Sequence, residues 1–139
     1  MKILILVLLF ISILSYSDLE YLSRVVYCEA NGESFKSKLG IAYTVVNRSL
    51  LSGKLVAFEA TKKNQFWVYS GDMIDNDKFE KCQDAAKSAI NKSKIDPTNG
   101  ATYTFSGRIV PLWAKGRTPC AIIGSRKLYK HLGEYNSSI

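Results

Sequence analysis

The chain has 139 residues, with 19 lysines and arginines against 12 aspartates and glutamates, and a formal net charge of +7. Such a basic chain suits an anionic polymer, such as a bacterial wall, extracellular nucleic acid or an acidic glycan, and equally suits simple solubility. The lone histidine, His131, and three cysteines without a Cys-x-x-Cys pair exclude the usual structural zinc sites. We therefore expect no metal and no cofactor.

The first seventeen residues, "MKILILVLLFISILSYS", have the pattern of a secretory signal peptide. Lys2 is followed by an apolar run over 3–14, which is shorter than the roughly 20 residues that a helix needs to cross a bilayer. We predict a signal peptide over 1–17, cleaved near Ser17, and a single domain over 18–139. The protein is then secreted or held in the cell envelope, without stable membrane insertion after cleavage. An uncleaved membrane anchor is the alternative.

Three stretches carry apolar residues at helical spacing and predict helices over Leu19–Ala30, Ser37–Ser52 and Asp77–Lys92. Asp18 is placed to cap the first helix, and Gly53 is a natural stop for the second. Residues 54–76 lack a clean period and are predicted to form a long loop.

The last third of the chain has turn and strand signals. "DPTNG" at 96–100 is turn chemistry, and the alternating Ala101–Ser106 is predicted to be a strand. "CAIIG" and "KLYKHL" indicate one or two further short strands. The predicted fold class is α+β, mostly helical in the first part of the chain and with a small sheet in the last part.

The stretch "YCEANGE" contains the candidate for acid catalysis. Leu22 and Glu29 are seven positions apart and point within about 20° of each other on a helix, so Glu29 shares the inward face. Desolvation and the negative end of the helix dipole both favour the protonated form of such a carboxyl, which a general acid requires. A frayed last turn with Glu29 in water is the alternative reading. Glu33 follows the Asn-Gly break and has no assigned face.

The same stretch resembles the front motif of the SleB and CwlJ cell wall hydrolases. That motif is an aromatic-x-Glu-Ala-x-Gly-Glu run followed by a helix that ends in Val-x-Asn-Arg. The matching residues here are Tyr27, Glu29, Ala30, Gly32, Glu33, Val45, Asn47 and Arg48. "NQFWV", "CQDAAKSAI", "DPTNGATYTFS", Trp113 and "IIGSRKLYK" are similar to later family segments, in the family's order.

The resemblance implies a lysozyme-like helical core with a small antiparallel sheet, and an enzyme that cleaves peptidoglycan glycan strands. It implies Glu29 as the catalytic acid, in a lytic transglycosylase that needs one glutamate. Arg126 stands where the family has a histidine, and His131 lies five residues too late to replace it. Some members also carry a separate peptidoglycan-binding repeat domain that the sequence does not show, so we expect substrate capture to rest on this domain and its charge.

A sugar site also needs flat faces and hydrogen-bonding groups. The candidate substrate-binding residues are Glu33, Gln65, Phe66, Trp67, Tyr103 and Trp113, although aromatic residues of a small domain more often belong to its core. We expect the protein to be a monomer that binds peptidoglycan glycan strands and does not bind nucleic acid. A catalytically silent peptidoglycan-binding domain and a two-carboxylate muramidase remain as alternatives, the latter with Glu33, Asp72 or Asp75 as second carboxylate.

Overall fold

The computed structural model describes residues 1–62, 66 and 74–130, except for the side chains of residues 11–15. Within these described residues, four helices come first: α1 (Lys2–Ala30), α2 (Phe35–Ser52), α3 (Val56–Thr61) and α4 (Asn76–Ile90). Three strands follow: β1 (Tyr103–Ser106), β2 (Ala121–Ile123) and β3 (Arg126–Tyr129), with a short 3-10 helix at Leu112–Ala114 between β1 and β2.

The first helix ends where the sequence predicts but begins much earlier. It runs without interruption from Lys2, so the predicted start at Leu19 is wrong. The apolar run at the N-terminus has good helix formers and no break before Asp18. Asp18 therefore lies inside α1, and its carboxylate accepts a hydrogen bond of 2.8 Å from the Ala57 backbone in the first turn of α3 instead of capping α1.

The predicted second and third helices are confirmed within two residues at each end. The Ser34 hydroxyl accepts from the Ser37 backbone N–H at 3.2 Å and caps α2, which begins at Phe35, two residues before its predicted start. Gly53 ends α2 with φ of +71°, a conformation that glycine adopts without steric cost. Asp75 caps α4 by accepting from the backbone N–H groups of Asp77 and Lys78.

The short helix α3 was not predicted, because six residues are too few to show a helical period. It interrupts the stretch predicted as a loop. Its Glu59 is fully buried and accepts a 2.7 Å hydrogen bond from the Ser52 hydroxyl, which ties α3 to the end of α2.

The three strands form an antiparallel sheet in the order β1-β3-β2. Tyr103 pairs with Tyr129 and Ser106 with Arg126 on one side of β3, and Ile123 pairs with Arg126 on the other. The two predicted strands in the last segments are confirmed, and the first strand begins two residues later than predicted.

The helices enclose the main apolar core, which contains Leu22, Val25, Val26, Ile41 and Val45 as fully buried residues. A smaller cluster of Ala101, Ile123 and Leu128 lies beneath the sheet. The sheet can approach α2 closely because Gly40 has no side chain: a Cβ there would lie 3.1 Å from Cδ1 of Ile123. The predicted α+β class, with mostly helical structure and a small antiparallel sheet, is confirmed. Within the described part of the chain, no helix has the length and apolar character to span a membrane.

Candidate active site

Glu29 lies in the last turn of α1, immediately before the chain turns towards α2. Its side chain is 23% exposed, whereas Val25 and Val26 on the same helix are fully buried. The prediction that the Glu29 side chain points inward is therefore correct only in part, because its carboxyl lies at the edge of the core within reach of solvent. A substrate can reach a carboxyl at such an edge.

Arg126, in the first position of β3, joins the two glutamates of the motif. Its guanidinium binds Glu33 at two points, with Nη2 2.8 Å from Oε2 and Nε 3.2 Å from Oε1. Nη1 lies 3.9 Å from Oε2 of Glu29, and Nη2 also donates to the Glu29 backbone carbonyl. The arginine is 4% exposed, so these contacts form largely out of water. Sequence reasoning gave Glu33 no face; the structure places it on Arg126.

The charges of this cluster suit an acid that gives up and recovers a proton. A guanidinium neutralises one carboxylate, so Glu29, Glu33 and Arg126 together are neutral when Glu29 carries a proton. When Glu29 has released that proton, Arg126 provides a positive charge 3.9 Å from the new carboxylate. Two-point pairing of arginine with a carboxylate also has fixed geometry, which holds the segment after α1 in place.

The other predicted second carboxylates do not join this cluster in the described residues. The Asp75 carboxylate accepts the capping hydrogen bonds of α4. Its backbone N–H donates to the Tyr27 hydroxyl at 3.1 Å. Asp72 and His131 lie outside the described residues. Of the predicted second carboxylates that the structure describes, Glu33 is therefore the one that shares Arg126 with Glu29.

Two predicted substrate-binding residues, Tyr103 and Trp113, lie together in an aromatic cluster. The Trp113 ring centroid is 5.5 Å from Tyr103, 5.8 Å from Phe105 and 5.4 Å from Tyr129. Side chains alternate across a strand, so Arg126 and Tyr129 lie on opposite faces of β3. The aromatic cluster thus occupies the sheet face opposite to Arg126. Trp113, Tyr103 and Phe105 are half-buried, which leaves part of each ring open to solvent.

Phe66, a third predicted residue, lies against the helical core next to a buried arginine. The Arg48 guanidinium is 4.8 Å from the Phe66 ring centroid and 4.5 Å from that of Tyr103. Arg48 also donates to the Thr102 carbonyl. Cation–π contacts of this kind are stronger away from water, so Arg48 connects α2, Phe66 and β1. Gln65 and Trp67 lie outside the described residues.

Known proteins resemble this chain in sequence and fold. The spore cortex-lytic enzyme of Oceanobacillus iheyensis is 28% identical over 102 residues, 66% of this chain, and the match spans about a third of that enzyme (33%). The catalytic domain of the germination-specific lytic transglycosylase SleB from Bacillus anthracis superposes with a TM-score of 0.65 at 22% identity, covering 82% of this chain and 94% of that domain. The chain has the fold of a SleB-type catalytic domain.

The SleB catalytic domain from Bacillus cereus gives a TM-score of 0.56 at 23% identity, covering 83% of this chain and 91% of that domain. No family model matches the sequence. The resemblance to the SleB and CwlJ group, drawn from short motifs in order, is confirmed.

Cys28, Cys82 and Cys120 form no disulfide with one another. Burial raises the pKa of the Cys82 thiol, and the nearby positive charge of Lys38 lowers it to a smaller extent. Burial likewise raises the pKa of Cys120. Thiols with raised pKa values are weak nucleophiles near neutral pH. Among the residues that the structure describes, no cluster of three His, Cys, Asp or Glu side chains could hold a metal ion.

Sequence reasoning missed Arg126 as a member of this candidate site. The family resemblance marked position 126 as a departure and gave the arginine no role. A usable signal was present, because the alternation of "RKLY" places Arg126 on the same face as the buried Leu128. An arginine on a buried face needs a carboxylate partner.

Proposed function

We propose that this domain degrades peptidoglycan by cleaving the MurNAc-GlcNAc glycan strand, as a lytic transglycosylase with Glu29 as its single catalytic acid. The observation that carries the proposal is the contact of Arg126 with both Glu29 and Glu33 at the end of α1. The fold of solved SleB catalytic domains, one of which is named a lytic transglycosylase, supports the same reaction class.

The proposed reaction uses Glu29 twice. Its protonated carboxyl first gives a proton to the glycosidic oxygen as the bond from that oxygen to the anomeric carbon of MurNAc breaks. The carboxylate that remains then takes the proton of the MurNAc 6-hydroxyl, whose oxygen bonds to the anomeric carbon and closes an anhydro ring. No water is consumed, and Glu29 regains the proton with which it began.

Arg126 and Glu33 are proposed as positioning residues. The two-point pair keeps Arg126 beside Glu29 throughout the reaction, so its positive charge stabilises the carboxylate formed in the first step. Glu33 in turn neutralises Arg126, which lets a guanidinium remain buried.

A single-glutamate mechanism is favoured over a two-carboxylate muramidase by the state of Glu33. Both of its oxygens accept from Arg126, so it is already committed to that pair. A muramidase would need a second carboxylate about 5–9.5 Å from the acid, free to attack carbon or to activate water.

The predicted substrate contacts of Glu33, Gln65, Phe66, Trp67, Tyr103 and Trp113 stay predictions. Tyr103 and Trp113 are partly exposed, and because they lie on the sheet face opposite to Arg126, a role for them in sugar binding concerns units distant from the cleaved bond. The signal peptide over 1–17, secretion to the envelope and the monomeric state also stay predictions.

The proposal is tested by digestion of purified sacculi. Glu29→Gln keeps the shape of the side chain but removes the acid, and we expect release of muropeptides to fall by about 10²- to 10⁴-fold. Glu20→Gln is the matched control, because it makes the same chemical change on α1, where Glu20 pairs with Arg24. It should leave release unchanged.

Mass spectrometry of the products separates the reaction types. Anhydro-muramic ends are expected, whereas reducing muramic ends would show hydrolysis and overturn the transglycosylase assignment. Wild-type protein that binds sacculi but releases nothing would overturn the enzyme itself and favour a silent peptidoglycan-binding domain.

A further inference from the structure

A basic pocket lies beside the catalytic motif, on the side of Glu33 that faces α4. It has a volume of about 240 Å³ and is lined by Asn31, Gly32, Glu33, Lys38, Lys78 and Lys81. Asn31 and Glu33 follow Glu29 by two and four residues, so an extended chain of about 3.5 Å per residue places this wall within about 14 Å of Glu29 along the backbone. The pocket is thus close to any glycan bound at Glu29.

The three lysines of the pocket come from two helices. Lys78 and Lys81 are three positions apart on α4 and so lie on one face of that helix, where both are exposed. Lys38 is the fourth residue of α2 and is only 6% exposed. The sequence alone brings none of these residues together, because 40 residues separate Lys38 from Lys78.

Lys38 is a buried cation with hydrogen-bonding capacity to spare. Its ammonium donates to the Glu33 backbone carbonyl at 2.6 Å, and an ammonium has three N–H donors. In the described part of the chain, that carbonyl is the one hydrogen-bond partner of the Lys38 ammonium. Burying a cation is costly unless anions or further acceptors surround it. Another acceptor in the pocket would satisfy Lys38.

The charges of the lining are out of balance. Three ammonium groups face one carboxylate, that of Glu33, and the Glu33 carboxylate is already paired at two points with Arg126. Lys78 and Lys81 form no salt bridge with the carboxylates of the described residues. The pocket therefore carries a local excess of positive charge next to the proposed catalytic acid.

The size of the pocket limits what can enter it. A volume of about 240 Å³ is below the roughly 300–1,000 Å³ of sites that enclose a drug-sized ligand. A disaccharide is too large, whereas one amino-acid residue or one phosphodiester fits. The occupant is thus a small anionic group attached to a larger chain outside the pocket.

We propose that Lys38, Lys78 and Lys81 form a subsite for an anionic group of the wall polymer, a carboxylate of a peptide side branch or a phosphodiester of an attached polymer. This inference rests on the proposed function, since it supposes that the glycan strand lies at Glu29. The subsite would hold the branch next to the cleaved bond and so favour strands that carry such groups.

The test measures binding of the uncleaving Glu29→Gln protein to purified sacculi. Adding Lys78→Gln and Lys81→Gln removes two charges from the pocket and should weaken binding by about tenfold. The matched control adds Lys87→Gln and Lys115→Gln, which remove the same charge from exposed positions outside the pocket. We expect the control to change binding by less than about twofold, the size of an unspecific surface-charge effect.

Treated sacculi identify the anion. If a carboxylate is bound, converting the wall carboxyl groups to neutral amides abolishes the difference between the two double variants. If a phosphodiester is bound, hydrofluoric acid treatment, which removes phosphodiester-linked polymers, abolishes it. A difference that survives both treatments, or equal binding of the two double variants to untreated sacculi, would overturn the subsite. Failure of the proposed function is seen in a separate measurement, in which wild-type protein releases no product from sacculi. That result does not depend on whether the lysines contribute to binding.

Discussion

Arg126 and Glu33 form a two-point ion pair across 93 residues of sequence, with N–O distances of 2.8 and 3.2 Å. The pair joins the first residue of β3 to the turn that follows α1. It also fixes where the charge next to Glu29 lies, because the same guanidinium extends to that carboxyl.

The first prediction concerns this pair. Arg126→Met leaves Glu33 without its partner, and because the Glu33 side chain is 33% exposed and can be rehydrated, it should lower the free energy of unfolding by about 1–3 kcal/mol. Arg126→Lys keeps the charge but loses the second contact point, and should retain part of both stability and cleavage. Urea unfolding measures the first quantity and muropeptide release the second.

A positioning role is separated from a purely structural one by the pH profile of cleavage. Glu33→Gln should change the profile under conditions where the variant is fully folded, because it alters the charge next to Glu29. A double-mutant cycle between positions 33 and 126 should give a coupling free energy of about 0.5–3 kcal/mol. Additive effects together with an unchanged profile would show that the pair has no part in catalysis.

The second prediction concerns Asp96, whose carboxylate organises the turn before β1. It accepts from the backbone and hydroxyl of Thr98 at 2.8 and 2.6 Å, from the Gly100 backbone at 3.0 Å and from the Asn47 amide at 3.0 Å. Asp96→Ala leaves these donors without an acceptor, and should lower the free energy of unfolding by about 2–4 kcal/mol. Asp84→Ala on the exposed face of α4 should stay within about 0.5 kcal/mol of wild type. Similar losses for both variants would contradict the assigned role.

The sequence predicted local structure well and long-range pairing poorly. The periods of α2 and α4, the Asp96 turn and the strand alternation are encoded within a few residues of each other, so they can be read directly. The partner of Glu33 cannot be read in this way, because Arg126 lies in a strand that reaches α1 only after the helices and the sheet have packed. The early start of α1 was missed because a helical signal-like segment continues into the domain's first helix without a break.

Gly40 is a case in which sequence and structure give different reasons for one residue. Within the sequence, an interior glycine only weakens the prediction of α2. In the structure, the missing side chain is what lets Ile123 of β2 approach the helix. A local cost to the helix is therefore linked to the packing of the sheet.

The third prediction tests that link. Gly40→Ala gains about 1 kcal/mol of helix propensity but places its Cβ 3.1 Å from Cδ1 of Ile123, so the single variant should show little of that gain. Ile123→Val removes Cδ1 and alone should cost about 0.5–1.5 kcal/mol. In the Ile123→Val background, Gly40→Ala should recover most of its helix gain. Thermal unfolding of the four proteins gives the coupling, and strict additivity would show that the contact does not limit packing.

The fourth prediction concerns stability at alkaline pH. Tyr43 is 4% exposed and its hydroxyl donates to the Lys94 carbonyl. Burial raises the pKa of this phenol, and the negative charge of Asp96 raises it further. The folded protein thus keeps the Tyr43 proton at a pH where the unfolded chain, with a phenol pKa of about 10, loses it.

Linkage then gives the sign of the effect. The unfolded state binds fewer protons than the folded state above about pH 10, so the contribution of Tyr43 is complete below that pH and is lost as pH rises through the folded pKa. Tyr43→Phe should be less stable than wild type by about 0.5–1.5 kcal/mol at neutral pH, through the lost hydrogen bond, and the difference should shrink above about pH 10. Urea unfolding between pH 7 and the alkaline limit measures it, with Tyr21→Phe, at a 40% exposed tyrosine, as the control that should run parallel to wild type. A Tyr43→Phe curve that also stays parallel would show that this proton is not linked to folding.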